Sequence, residues 1–246
     1  MIAEHRERLA ADVARYPWYH TLELAEGVVT RGMFDHRPAV GKYMLPADLS
    51  GMRCLDVGTM DGFWAFEMER RGAAEVVAAD LSSVDDLDWP AQWRSRVEPT
   101  IDETKAERFE LARAALSSAV QRVERSVYDL DTDLGRFDLV FCGDLLIHLK
   151  DPISALQRIC RVCRGSAIVA NPVKRFRFLG RRPMAEFDGI DKFQWWLLSE
   201  ASLERMMRAA GFARVQSGGT FELPPSTGGP WRGLRTVLRG YVDEAA

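Results

Sequence analysis

Hydrophobic and polar spacing changes character at Met52. From there on, short apolar runs rich in Val, Leu and Ala (MRCLDVG, EVVAADL, VERSVYDL, FDLVFCGD and GSAIVANPV) alternate with stretches of helical period. Runs of this length bounded by turn residues predict buried strands, and their alternation with helices predicts crossover units around a parallel sheet. The helices are expected at about 62 to 71, 103 to 120 and 151 to 163, with Gly72 and Gly165 as stops. DLSSVDDLDWPAQWRSR reads as a loop with a short helix. LSEASLERMMRAAG reads as a further helix with a serine cap and a stop at Gly211, and FARVQSGG with TFELPP reads as a terminal strand pair.

Before Met52 the pattern differs. Residues 2 to 15 put Ile2, Leu9 and Val13 on one helical face. A stretch rich in aromatic, Gly and Pro residues follows, with little periodicity, which suits a covering segment better than a scaffold. The expected division is 1–46 as an N-terminal helical and aromatic lid and substrate wall, and 47–246 as the ligand-binding α/β domain with a doubly wound, mostly parallel sheet.

Length and charge narrow the class. At 246 residues the chain accommodates one large α/β domain with an appendage. Its net charge is -3, and only five of its 33 basic residues are lysines, so most positive charge is guanidinium, suited to forked contacts with anions. MIAEHRERLAADVARY carries charges throughout, unlike a secretory signal. FDLVFCGDLLIHL is interrupted by Asp144 and too short to span a bilayer. A cytoplasmic protein without membrane contact is expected. Cys160 and Cys163 form a single CxxC with no second pair or nearby histidine, read as packing, so no metal site is expected.

The candidate chemistry lies in LDVGTMDGFWAFEMERRG, residues 55 to 72. The first strand-to-helix turn of a parallel sheet is the usual ligand contact. Here Gly58 and Gly62 follow Asp56 as D-x-G-x-x-x-G; Met60 stands where a dinucleotide binder has its middle glycine, and no GK[ST] follows. Asp61 would oppose a phosphate at the helix N-terminus and suit a cationic ligand. The next strand ends at Asp80, where an acid can accept both hydroxyls of a ribose. A nucleoside bearing positive charge is implied: S-adenosyl-L-methionine, with Thr59 and Phe63 of the turn and Leu81 after Asp80 as further contacts. The competing reading is a tight turn with a helix-capping acid.

With Asp56, Gly58, Gly62, Asp80 and CGDLLIHLKDP in place, the chain resembles the class I S-adenosylmethionine-dependent methyltransferases from about Met52 to Phe221. The resemblance implies a seven-stranded Rossmann-like sheet with a final antiparallel hairpin. It also implies adenine packing near Tyr128 and Asp129, and contact from Cys142 or Gly143 to the cofactor amino group. WYHTLELAEGVVTRG together with LDVGTMDGFWAFEMERRGA is similar to the branch grouped with bacterial tRNA wobble-uridine methyltransferases, whose tRNA enzyme has a more glycine-rich first motif and a longer N-terminal extension.

Methyl transfer from a sulfonium requires acceptor and methyl held in line, and a base only if the acceptor must lose a proton. His148 is the first candidate base and His20 the second, against packing roles for each; His5 and His36 read as surface or loop residues. Trp18, Tyr19, Trp195 and Trp196 are expected to wall the substrate site. Lys174 and Arg175, interleaved with Phe176, Arg177, Phe178, Arg181 and Arg182, and helped by Arg31 and Lys42, could bind a substrate anion or single-stranded RNA, or form a solvated loop. The expected activity is methyl transfer to a small organic acceptor of anionic, aromatic type. A tRNA substrate is the first alternative and a non-catalytic cofactor-binding protein the second. A homodimer is a further option.

Overall fold

The computed structural model of the chain describes residues 2–93, 102–176, 182–190, 194–226, 228 and 232–242. Helix α1 (Ile2–Val13) buries Leu9 and Val13. Two small ribbons follow: Trp18–His20 runs parallel to Gly32–Phe34, and Glu23–Ala25 pairs with Val28–Val29. A Cβ at Gly32 would lie 2.1 Å from the His20 carbonyl carbon, so the first ribbon requires glycine there.

The central sheet then forms in the order the apolar runs predict. Strand β1 (Arg53–Val57) leads through a glycine turn to α2 (Phe63–Arg70), followed by β2 (Glu75–Asp80), α3 (Lys105–Ala115), β3 (Gln121–Glu124) and β4 (Phe137–Gly143). The chain continues with α4 (Pro152–Val162), β5 (Cys163–Pro172), α5 (Glu200–Ala209), β6 (Arg214–Glu222) and β7 (Leu234–Tyr241). Spatial order is β3-β2-β1-β4-β5-β7-β6, with β7 antiparallel to both neighbours. Winding reverses between β1 and β4, where a parallel sheet opens a crevice beyond its carboxyl ends.

Alternate residues along the strands feed two cores. Cys54, Ala78, Leu139, Phe141 and Ile168 pack under α2, α3 and the N-terminal segment, while Leu55, Val57, Val140, Ala167 and Val169 pack under α4 and α5. Trp18, Leu22, Leu24, Phe34, Tyr43 and Leu49 belong to the first of these cores. The N-terminal segment is therefore built into the domain's hydrophobic interior.

Three boundaries differ from the sequence expectation. The third strand ends at Glu124, because the Ser126 hydroxyl accepts the Tyr128 N–H and caps a short 3₁₀ turn over Val127–Asp129. Helix α3 stops at Ala115, before Ser117 turns to a φ of 52°. FARVQSGG and TFELPP are one strand, β6, interrupted by a bulge between Ser217 and Thr220; the glycine pair supplies the bulge and its partner is β7. Among the described residues no helix is long and apolar enough to cross a membrane.

Candidate active site

Beyond the carboxyl ends of β1, β2 and β4 lies a cavity of about 790 Å³. At one end, Asp56, Gly58, Met60, Asp80, Leu81 and Tyr128 line it. The glycine turn is tight: Gly58, Met60 and Gly62 have φ of 75°, 51° and 92°. Gly62 faces the core, where a Cβ would lie 2.4 Å from the Phe66 ring. Asp56 accepts the Thr59 hydroxyl at 2.7 Å and the Ala65 N–H at 3.1 Å, and burial pushes its carboxyl up to about 7. Asp80 accepts the Met60 and Leu81 N–H groups, each at 2.7 Å, and the Lys105 ammonium at 3.1 Å. The Tyr128 hydroxyl donates to Asp88 at 2.7 Å.

Asp61 corrects the sequence reading. Its carboxylate turns away from the cavity and is fully buried. It accepts the Tyr19 and His20 N–H groups at 2.6 and 2.9 Å and the Arg108 Nε at 2.9 Å. Arg108, itself fully buried, also reaches Asp102 at 2.7 Å. The acid in the glycine turn thus ties the N-terminal segment to the sheet, and the inference that it faces a cationic ligand does not stand. Of the other residues expected near the cofactor, Gly143 lines the cavity, whereas Thr59, Phe63, Asp129 and Cys142 do not. Thr59 serves Asp56, Phe63 packs beside His20 with ring centroids 5.7 Å apart, and Cys142 is core.

The other end is a chamber made by the N-terminal segment, α2 and β7. Tyr19, His20, Met33, Phe34, His36, Tyr43 and Trp64 line it, with Asp144 and Arg235. Of the surface or loop reading, His36 keeps the loop, but it is buried; its Nδ1 lies 2.9 Å from the Tyr43 hydroxyl and its ring 5.4 Å from that of His20. Burial drives both imidazoles toward the neutral form, His20 to a pKa of about 3 with the Arg108 charge adding to the effect. The His20 Nδ1 is sealed without a hydrogen-bond partner. Asp144, at a φ of 53°, binds Arg235 at 2.7 to 3.0 Å. Arg235 is further held by the Leu223 and Gly233 carbonyls and lies 4.8 Å from the Phe34 ring. His148 lines the cavity from the 3₁₀ turn Leu146–His148, less enclosed than His20, with its ring 6.5 Å from Trp89.

Most of the expected substrate wall lies elsewhere. Trp18 is core and donates to the Val13 carbonyl at 2.9 Å. Trp195 donates to the Asp88 carbonyl at 2.5 Å and Trp196 to that of Lys150 at 3.0 Å. They fasten the hairpin Ala185–Phe187 with Trp196–Leu198 beside the cavity, which Gln194 and Leu197 line instead. None of Arg31, Lys42, Lys174 and Arg175 lines the cavity. Arg31 is exposed, Lys42 lies over Phe221, Lys174 pairs with Glu186 at 2.5 Å, and Arg175 donates to Thr220 at 3.2 Å. Arg177, Phe178 and Arg181 lie outside the described residues. Spacing had no means of finding Asp144 and Arg235, since one follows β4, the other lies on β7, and they meet only across β5.

A family model for the methyltransferase domain matches residues 31–217. The chain belongs to this methyltransferase family. The enzyme class expected from the sequence stands with that membership. The methyltransferase is 32% identical over 132 residues to a ubiquinone biosynthesis O-methyltransferase from Alkalilimnicola ehrlichii, over 52% of this chain and 44% of the relative. It therefore spans less than half the length of that curated relative. The N-terminal domain of EvdMO1, solved in the presence of S-adenosylhomocysteine and D-fucose, superposes with a TM-score of 0.65 at 19% identity over 99% of this chain and 98% of that one. The Burkholderia thailandensis 1,6-didemethyltoxoflavin-N1-methyltransferase gives 0.52 at 18% identity over 79% and 72%. These structures establish a shared fold. An adenosyl group suits the residues present: Asp80 keeps acceptor capacity beyond its three donors, and Leu81, Trp89 and Tyr128 offer apolar surface beside it.

Proposed function

We propose that this methyltransferase transfers a methyl group from S-adenosylmethionine to a small organic acceptor held in the histidine and aromatic chamber. Residues 1 to 46 serve as its lid and wall. The observation that carries the reading is the continuity of the cavity: one space runs from Asp80 and Tyr128 to Phe34, His36 and Tyr43. When bound, the cofactor supplies an electrophilic methyl on a sulfonium. The protein's part is to orient the acceptor and exclude water, and such positioning can contribute about 7–11 kcal/mol.

The chamber favours an acceptor that is flat and uncharged at its reacting end. Trp64 and Phe141 stack with centroids 4.4 Å apart beneath it, and Tyr43 lies 4.3 Å from Trp64. The Arg235 guanidinium is committed to Asp144 and two carbonyls, which disfavours an anionic group there. His20 and His36, held neutral by burial, suit hydrogen bonding to an acceptor O–H or N–H; proton removal falls to His148 on the more open wall. A tRNA substrate draws its support from the N-terminal motif, and the outward position of Lys174 and Arg175 leaves basic charge at the surface for it.

Incubating the purified protein with methyl-labelled S-adenosylmethionine and fractionated small-molecule and tRNA pools decides among the readings. Label is expected in a small molecule. Label in tRNA that declines steeply with added salt would replace the acceptor class. Label that never leaves the cofactor, in any pool, would favour a binding protein.

A further inference from the structure

We propose that Lys105 is a positioning residue for the donor nucleoside, orienting the Asp80 carboxylate and offsetting its charge so that its remaining acceptor site can receive a ribose hydroxyl. The proposal rests on the methyl-donor reading above and adds a residue that lies outside the glycine motif. Lys105 begins α3, 25 residues beyond Asp80, and its side chain is 1% exposed. Buried lysines are uncommon because desolvating an ammonium is costly unless it is paired. Here the compensation is Asp80 Oδ1 at 3.1 Å, and both residues line the cavity at its nucleoside end.

The geometry divides the carboxylate's two oxygens. Oδ1 takes the Lys105 ammonium and the Leu81 N–H, while Oδ2 takes the Met60 N–H from the glycine turn. Lys105 therefore fixes the carboxylate rotation from the α3 side, leaving Oδ2 with the larger free acceptor capacity. Asp56 on β1 lies near by, its carboxyl raised by burial and by the Asp80 charge. An acid so placed, 9% exposed and without a counter-charge, would be a poor fixed acceptor; with Lys105 it is a preorganised one.

The test is calorimetric binding of S-adenosylhomocysteine and of its 2′-deoxyribose analogue to the wild type and to Lys105→Met and Lys105→Arg. The wild type should prefer the ribose form at least tenfold. Lys105→Met should bind it roughly 10–100-fold more weakly, as expected for a lost charge-assisted contact, and should lose most of the preference. Lys105→Arg should recover both in part. A thermally intact Lys105→Met with affinity and preference within about twofold of wild type would overturn the proposal. If that variant does not fold, Lys105→Gln keeps a hydrogen bond without the charge, and the same loss of preference decides. Failure of the wild type to bind S-adenosylhomocysteine would instead sink the methyl-donor reading on which this rests.

Discussion

The two ends of the cavity are built from different kinds of chain. The end proposed for the nucleoside comes from consecutive sheet elements: β1 and its turn supply Asp56 and Gly58, β2 supplies Asp80, and the turn after β3 supplies Tyr128. The chamber is assembled from distant parts, with Tyr19 to Tyr43 from the N-terminal segment, Trp64 from α2, Asp144 after β4 and Arg235 on β7. A small buried network joins them. Asp61 leaves the glycine turn, receives the backbone of Tyr19 and His20 and binds Arg108 of α3. The same turn thus lines the cavity through Gly58 and Met60 and braces the chamber through Asp61, so an acid that resembles a ligand contact is a structural fastener.

The largest effect that tests this division is Asp61→Ala. Removing one partner of a buried pair leaves Arg108 partly uncompensated and two buried N–H groups without acceptors, a loss of about 3–5 kcal/mol, measurable as a fall in the urea midpoint. In the fraction still folded, S-adenosylhomocysteine affinity should persist while methyl transfer is lost. A stable variant that fails to bind the cofactor would return Asp61 to the role its sequence position suggests. Asp80→Ala comes next and should act in the opposite sense. Loss of the ribose contact to the carboxylate, at about 1.5–3 kcal/mol, implies a fall of roughly 10–100-fold in donor affinity, read by calorimetry on the folded fraction, and the buried Lys105 ammonium left unpaired should lower stability as well. His148→Ala should spare that affinity and slow turnover.

The legibility of each end follows from this construction. Strand order and the glycine turn were readable because apolar runs and glycine spacing are local signals, and Asp56, Gly58 and Asp80 line the cavity where those signals place them; Tyr128, which the family resemblance implied, lines it too. Of the chamber, Tyr19 and His20 were singled out in the sequence and line it; the rest was not readable. His36 lies in a loop-like stretch with no period, and its burial arises only when the first ribbon packs on α2. Lys174 and Arg175 look purposeful in sequence, but side-chain direction is a tertiary property; they turn to Glu186 and Thr220. The glycine pair in β6 looked like a hairpin because a bulge and a turn share the same residue chemistry.

A third perturbation probes the chamber without touching the nucleoside. Tyr43→Phe removes the hydroxyl 2.9 Å from His36 Nδ1 and leaves the ring contacts with Trp64 in place. Loss of one orienting hydrogen bond should lower kcat/KM for the acceptor about tenfold, equivalent to about 1.4 kcal/mol, with donor affinity unchanged. A parallel loss of donor affinity would mean that the two ends are not separable in this way.

The smallest effect distinguishes the ends by the sign of their pH response. His20, with its pKa lowered from 6.5 to about 3, binds a proton more readily in the unfolded chain, so its contribution to stability is lost as pH falls below 6.5. His36 acts in the same direction. Asp56, raised from 3.8 to about 7, binds a proton more readily when folded, so its contribution is present at low pH and is lost as pH rises through 7. Between pH 5 and 6.5 the slopes oppose, His20 and His36 against Asp56 and Asp61, whose carboxyl burial also raises. Asp56→Asn should shift the slope toward a rise with pH and His20→Phe toward a fall, each by about 1 kcal/mol per pH unit, followed by urea denaturation across the window. Substitutions that shift both slopes in the same direction would show that the acid and the imidazoles titrate as one coupled group, and the separation of the cavity into a carboxylate end and a histidine end would then fail at its electrostatic foundation.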